Sequence, residues 1–309
     1  MSLLLQWEGE VNPHHRQIIQ MANDAEFLSQ ALCRVYPACQ TIPQSATAIV
    51  SPLATGGAMV VYKITVAFPH QPSHHLVGKI PRQRRIVYAA GTEHQTDHDT
   101  THALLQRLLS LADHLGQHAP GLFPRCGGVW HRQRPDGNRQ HILIEEFIAG
   151  VSVERLKHRY EDQLLAGQLS ETQYQQQLTT VERLAIAAYI HLWDALQRQT
   201  FTSDPSPWNV LIRHADSATP QATIIDLHSL EENTDLTYVI QRMAAVYGNR
   251  QEIVEGVIIA GIFDALGAEE GRLMLREALP RLEAHAEQTH RNLGVNLQRP
   301  LLQAIRKLC

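Results

Sequence analysis

Residues 203–212 read Ser203-Asp204-Pro205-Ser206-Pro207-Trp208-Asn209-Val210-Leu211-Ile212, and residues 222–226 read Ala222-Thr223-Ile224-Ile225-Asp226. Two prolines beside a tryptophan exclude a helix in the first stretch. Asp204 and Asn209 nevertheless stand close together, immediately before a short apolar strand expected over Asn209–Ile212. A second apolar strand, expected over Ala222–Asp226, ends in a carboxylate. Paired as a hairpin, the two strands set Asn209 beside Asp226, where amide and carboxylate oxygens suit a hard divalent cation. Asp204 faces the same point as a lone carboxylate. Phosphoryl transfer needs such a set: ligands for cations that neutralise the phosphates, and a separate carboxylate to orient the attacking hydroxyl.

Working outward, the chain changes texture at Gly150. Before it, a helix is expected over about residues 14–34, then β-like stretches at Ala46–Leu53, Ala58–Phe68 and His75–Ile80. These are rich in Val, Ile and Tyr and are punctuated by Thr55-Gly56-Gly57 and by Pro69 to Pro72, the pattern of an antiparallel meander. Leu104, Leu105, Leu108, Leu111 and Leu115 keep a helical period up to Pro120-Gly121. Strands at Gly127–Arg132 and His141–Phe147 flank Pro135-Asp136-Gly137, a hairpin turn. After Gly150, Val181, Leu184, Ala185, Ala188, Leu192 and Ala195 mark a buried helix, and helical patterns resume from about Leu236 to Leu308. The reading is an α+β chain of two lobes sharing a cleft. Residues 1–147 form a β-rich N-terminal lobe and residues 148–309 a larger, mainly helical one.

Composition limits what such a chain can do. Its 309 residues allow two domains at about 150 residues each. Hydrophobic residues make up 44%, and 27 Lys+Arg against 31 Asp+Glu leave a net charge of −4, which excludes disorder and the basic surplus of a nucleic-acid binder. No apolar run approaches the roughly 18 residues of a membrane helix, and Met1 to Trp7 lacks the pattern of a signal peptide. The expectation is a cytoplasmic protein with no membrane or nucleic-acid partner. Cys33, Cys39, Cys126 and Cys309 form no CxxC pair and read as free thiols. His94, His98 and His102, at helical spacing, would stack along one helix face, as a metal site or as a solvated polar face.

The order D-x4-N with its proline, the apolar triplet and the I-I-D strand resembles the aminoglycoside phosphotransferase and choline kinase family, small-molecule kinases with a bilobal protein-kinase-like fold. The family's H-G-D-x-x-P-x-N loop is matched in register by Asp204, Pro207 and Asn209, and its I-D-x-G segment by Ile225-Asp226. The resemblance covers about residues 45 to 240. It implies an ATP- and Mg²⁺-dependent phosphotransferase acting on a hydroxyl of a small-molecule acceptor. Asp204 would be the catalytic base, and Asn209 and Asp226 the Mg²⁺ ligands. Gly56, Gly57 and Ala58 resemble the phosphate-covering loop. Lys79, in Leu76-Val77-Gly78-Lys79-Ile80, matches the lysine that holds the α- and β-phosphates, with Lys63 the competing candidate. Glu146, Phe147 and Ile148 resemble the hinge whose backbone holds adenine. Asp235 would brace the catalytic loop, or would simply cap a helix.

The sequence departs from the family at three points. Thr202 and Ser203 replace the His and Gly of H-G-D, and Asp226 is followed by Leu227-His228, where His228 could stand in for the lost imidazole. The sequence does not identify the helical glutamate expected to pair with Lys79: counting back from Leu104, Leu105 and Leu108 lands near Thr101, and Glu93, Asp97 and Asp99 fall off register. These departures support the alternative of a catalytically impaired pseudokinase that binds nucleotide or a partner without transfer. Only eight residues separate Asp226 from Asp235, too few for a protein-kinase activation segment, which favours a small acceptor. Glu231 and Glu232 would draw a cationic acceptor, or belong to an ordinary solvated loop.

Overall fold

The computed structural model describes residues 4–8, 14–39, 46–55, 59–81, 85–87, 93–95, 98–133, 139–217, 219–227, 229–293 and 299–308. It divides into two compact units, residues 1–116 with 124–147, and residues 117–123 with 148–309. The α+β expectation holds, with strands concentrated in the first unit and helices in the second.

The first unit opens with β1 (Leu4–Trp7), α1 (His15–Ala22) and α2 (Ala25–Val35). The single helix expected over residues 14–34 is thus broken in two. Asp24 causes the break: its Oδ1 accepts the Phe27 N–H at 3.1 Å as the cap of α2, and its Oδ2 accepts Trp130 Nε1–H at 3.1 Å. Next come β2 (Thr47–Thr55), β3 (Met59–Phe68) and β4 (Gln71–Pro81). Short strands β5 (Arg85–Val87) and β6 (Glu93–Gln95) follow, then α3 (His98–His118), β7 (Cys126–Gln133) and β8 (Arg139–Glu146). Six strands form one sheet in the order β1-β2-β3-β4-β8-β7, antiparallel except for β1 against β2.

The period-2 pattern of this sheet sends Tyr62, Ile64, Val66, Leu76, Ile142 and Ile144 to one face, where they form a core with Ile18, Met21, Leu28 and Leu32 of α1 and α2. Burying such aliphatic side chains contributes about 1.5–3 kcal/mol each, against the entropy of ordering them. Helix α2 lies close over β7: a Cβ at Gly127 would stand 3.1 Å from the Ala31 carbonyl oxygen, a close approach that a larger residue would have to push apart by a few tenths of an ångström. The other face carries the polar series Lys63, Thr65, His75, Lys79 and Glu145. His94 lies on β6 while His98 and His102 lie on α3, so the three do not share the one helix that their spacing predicts. The Pro135-Asp136-Gly137 turn lies outside the described residues, but β7 and β8 pair on either side of it as a hairpin requires.

The second unit holds β9 (Val151–Ser152), α4 (Val153–Leu165), the long α5 (Glu171–Ala195), β10 (Thr200–Thr202), β11 (Val210–Arg213), β12 (Gln221–Ile224) and β13 (Leu230–Glu232). Then come α6 (Leu236–Tyr247), α7 (Gln251–Ile253), a π-helical stretch Val254–Ile259, α8 (Ala260–Leu266), α9 (Ala268–Leu293) and α10 (Arg299–Leu308). A capping box starts α5: Ser170 accepts the Gln173 N–H at 3.3 Å, and the Gln173 side chain accepts the Ser170 N–H at 2.9 Å. Ala185, Ile186, Tyr189, Ile190 and Trp193 of α5 are buried. Helix α8 packs on α5 through Gly261, where a Cβ would meet the Arg183 carbonyl oxygen at 3.1 Å. In this unit three strand pieces escaped the sequence reading, β9, β10 and β13, as β1, β5 and β6 did in the first; all are of four residues or fewer and too short to show a period. No helix among the described residues is long and apolar enough to cross a membrane.

Candidate functional site

The hairpin expected at residues 209–226 is present. β11 and β12 pair antiparallel with Val210 opposite Ile224, and β9 extends them to three strands. Ser206 starts a 3₁₀ turn over Pro207–Asn209, its Oγ accepting the Trp208 N–H at 3.3 Å. That turn delivers Asn209 to the start of β11. The Ile225 N–H donates to the Asn209 carbonyl at 2.8 Å, which places Asp226 one residue beyond the paired strand end. Asn209 Nδ2 donates to Asp204 Oδ2 at 3.3 Å and to the Asp204 carbonyl at 3.4 Å. With its nitrogen so committed, the amide of Asn209 keeps Oδ1 as the atom available to a cation. Asp204, Asn209 and Ile225-Asp226 are therefore brought together as the spacing required.

Asp204 is exposed, and Asn209 and Asp226 are half-buried. The loop that carries Asp204 is fastened along its backbone. β10 pairs with β13, and the Ser203 N–H continues that pairing to the Ser229 carbonyl at 2.7 Å. Thr202 Oγ1 accepts the Asp204 N–H at 3.1 Å and lies 3.3 Å from Ser229 Oγ. Arg242 of α6 donates from Nη2 to the Ser203 carbonyl. From below, the hydroxyl of buried Tyr189 donates to the Ser206 carbonyl at 3.1 Å. Burial pushes that phenol well above its ordinary pKa, and the negative charges of Asp204 and Asp226 push the same way.

Thr202 thus occupies the place of the absent histidine with a contact of its own, and sequence reasoning overlooked Arg242 as a second brace. Asp235 does not brace the loop among the contacts described. Its Oδ1 accepts the Tyr238 N–H at 3.0 Å as the cap of α6, and its Oδ2 pairs with Arg281 of α9. Glu231 and Glu232 are exposed on β13. The Tyr238 phenol is pushed up to about 12 by burial and by its hydrogen bond with Glu231. His228 lies outside the described residues, as do Gly56, Gly57 and Ala58.

In the first unit, Lys79 stands two residues from the end of β4, and its Nζ lies 2.6 Å from Glu145 Oε2. Those side chains are 12% and 4% exposed. The lysine's carboxylate partner is therefore on strand β8, a residue the sequence reading passed over while searching a helix. Lys63 lies instead 4.4 Å from the Phe147 ring centroid as a cation–π pair. The Glu146 N–H donates to the Arg125 carbonyl at 2.8 Å and the Phe147 N–H to the His75 carbonyl at 3.2 Å. The N–H groups of Glu146 and Phe147, two donors of the expected hinge, are thus committed, and Ile148 is buried. No group of three or more His, Cys, Asp or Glu side chains among the described residues has metal-binding geometry. The oxygens of Asn209 and Asp226 are hard donors that fit Mg²⁺ as an ion also held by phosphates and water.

No known protein-family profile and no curated protein matches the chain. Among solved structures it is similar to WaaP in complex with acyl carrier protein, at 13% sequence identity and a TM-score of 0.36, over 83% of this chain and 88% of that one. So loose a likeness carries no argument about the site, whose reading rests on the distances above.

Proposed function

We propose that the protein is an ATP- and Mg²⁺-dependent phosphotransferase that acts on a hydroxyl of a small-molecule acceptor. One observation carries the reading. A carboxylate (Asp204), an amide (Asn209) and a second carboxylate (Asp226) are gathered at the end of one hairpin, with Asn209 bonded to Asp204 at 3.3 Å and to the Asp226 strand at 2.8 Å. In this reading Asn209 and Asp226 hold Mg²⁺, which neutralises the phosphates. Lys79 binds phosphate oxygens, and Asp204, exposed and hydrogen-bonded, orients the acceptor hydroxyl and takes its proton. The pseudokinase alternative rests on Thr202 and Ser203 and on Leu227-His228 after Asp226. The hydrogen bond from the Asp204 N–H to Thr202 weakens it, because the loop keeps a support for its carboxylate. The test is transfer of labelled γ-phosphate from Mg·ATP to a panel of small alcohols, amino alcohols and sugars. Transfer by the native protein that Asp204→Asn abolishes supports the reading; equal transfer by both removes Asp204 from the chemistry.

A further inference from the structure

Lys79 and Glu145 share one face of the β4–β8 pair. Val77 stands opposite Glu145 and Lys79 opposite Leu143, so the two charged side chains are diagonal neighbours two positions apart. The alternate residues Leu76, Ile142 and Ile144 point the other way, into the core under α1 and α2. On the charged face Leu143 is 1% and Glu145 3% exposed. A lysine in such surroundings tends to lose its proton unless an opposite charge is held against it, and 2.6 Å between Nζ and Oε2 is a close charge-assisted contact.

We propose that Glu145 is the positioning residue of a phosphate-binding lysine: its ion pair with Lys79 fixes where the ammonium stands on the sheet. This deepens the phosphotransferase reading and rests on it. A helix-borne carboxylate can approach or leave a lysine as its helix moves. Glu145 cannot, because its strand is hydrogen-bonded to that of Lys79 in a defined register. The lysine is then set by the sheet itself, and nucleotide binding requires no movement of α3.

A double-mutant cycle on Mg·ATP affinity, measured by calorimetry, tests this with Glu145→Gln, Lys79→Met and the two combined. Glu145→Gln should weaken binding ~10- to 100-fold, the range seen when a group that orients a ligand-binding residue is removed. In the Lys79→Met background the same change should have no further effect, because Glu145 acts only through Lys79. Effects that multiply, or a Glu145→Gln change under about twofold in the native background, overturn the proposal. The Lys79 Nζ resonance in ¹⁵N-lysine-labelled, nucleotide-free protein gives a second readout. It should shift on Glu145→Gln while the other lysine signals stay, and an unmoved resonance overturns the pairing. Should Lys79→Met fail to fold around the orphaned carboxylate, Lys79→Met with Glu145→Leu removes both charges and serves as the lysine-free reference. A native protein that binds no Mg·ATP while its Nζ signal reports the pair defeats the phosphotransferase reading, and the proposal with it. Binding with multiplying effects defeats the proposal alone.

Discussion

Glu145 in the sheet unit and Glu182 in the helical unit are both buried, at 3% and 7% exposure, yet their surroundings differ. Glu145 has the Lys79 ammonium 2.6 Å away. Glu182, in the middle of α5, has an Oε2 with no hydrogen-bond partner among the described residues. Burial pushes its carboxyl up to about 7, with Lys157 opposing and Glu154 adding to the shift. One unit buries a charge by pairing it, and the other buries a carboxyl that favours its neutral form. Asp204 follows a third course: it stays exposed while neutral hydrogen bonds from Asn209 and to Thr202 fix its loop. On the proposed reading, the carboxylate that would take the acceptor's proton is exposed, and the one held against a lysine is buried.

Four changes break or sharpen this contrast. Asp204→Asn should lower the rate of transfer ~10²- to 10⁴-fold, the contribution of a positioned general base. As an exposed residue it should alter the unfolding free energy read from urea denaturation by no more than about 0.5 kcal/mol. Lys79→Ala should destabilise the fold by ~3–5 kcal/mol, because it strands a buried carboxylate. Denaturant unfolding reads this, and replacing both partners with apolar side chains should recover most of the loss.

Glu182 gives the opposite sign. Its folded pKa of about 7 lies above the ordinary 4.5, so the folded state holds the proton more tightly than the unfolded chain. Stability from this group is complete below about 4.5, declines as pH rises towards 7, and stays low above it. The gap of 7 − 4.5 = 2.5 units corresponds to at most about 3 kcal/mol. Glu182→Gln should abolish the decline and leave the variant more stable than native at pH 8, whereas a variant that is less stable there means that Glu182 is paired in solution. The smallest effect belongs to Thr202→Val, which removes the acceptor of the Asp204 N–H at a cost of about 1–2 kcal/mol. It should lower turnover while sparing nucleotide affinity, and Thr202→Ser should restore turnover.

Much of the site's placement was legible because it depends on local rules. Prolines 205 and 207 forbade a helix, the apolar runs on either side read as strands, and the pairing of Val210 with Ile224 follows from them. The meander was legible in the same way, with β2, β3 and β4 found within a few residues of the expected stretches, although β4 begins earlier, at Gln71. His70 turns that hairpin at φ 63°, so Pro72 lies inside the strand where a break was expected. What stayed hidden depends on contacts between distant segments. The break at Asp24 is fixed partly by Trp130 of β7, and the loop braces come from Ser229 and Arg242. Glu145 was hidden for another reason: Ile142-Leu143-Ile144-Glu145-Glu146 reads as an apolar strand running into a polar turn. A signal was there, since Glu145 continues the alternation of buried Leu143 and so falls on the face that Lys79 shares.

The most direct measurement of the central claim is calorimetric titration of the native protein with ATP, with and without Mg²⁺, beside Asp226→Ala. Binding that requires Mg²⁺ and weakens in the variant is the expected outcome for a hairpin whose Asn209 and Asp226 oxygens hold the metal. Metal-independent binding, equal affinity in the variant, or no heat at millimolar ATP would sink it.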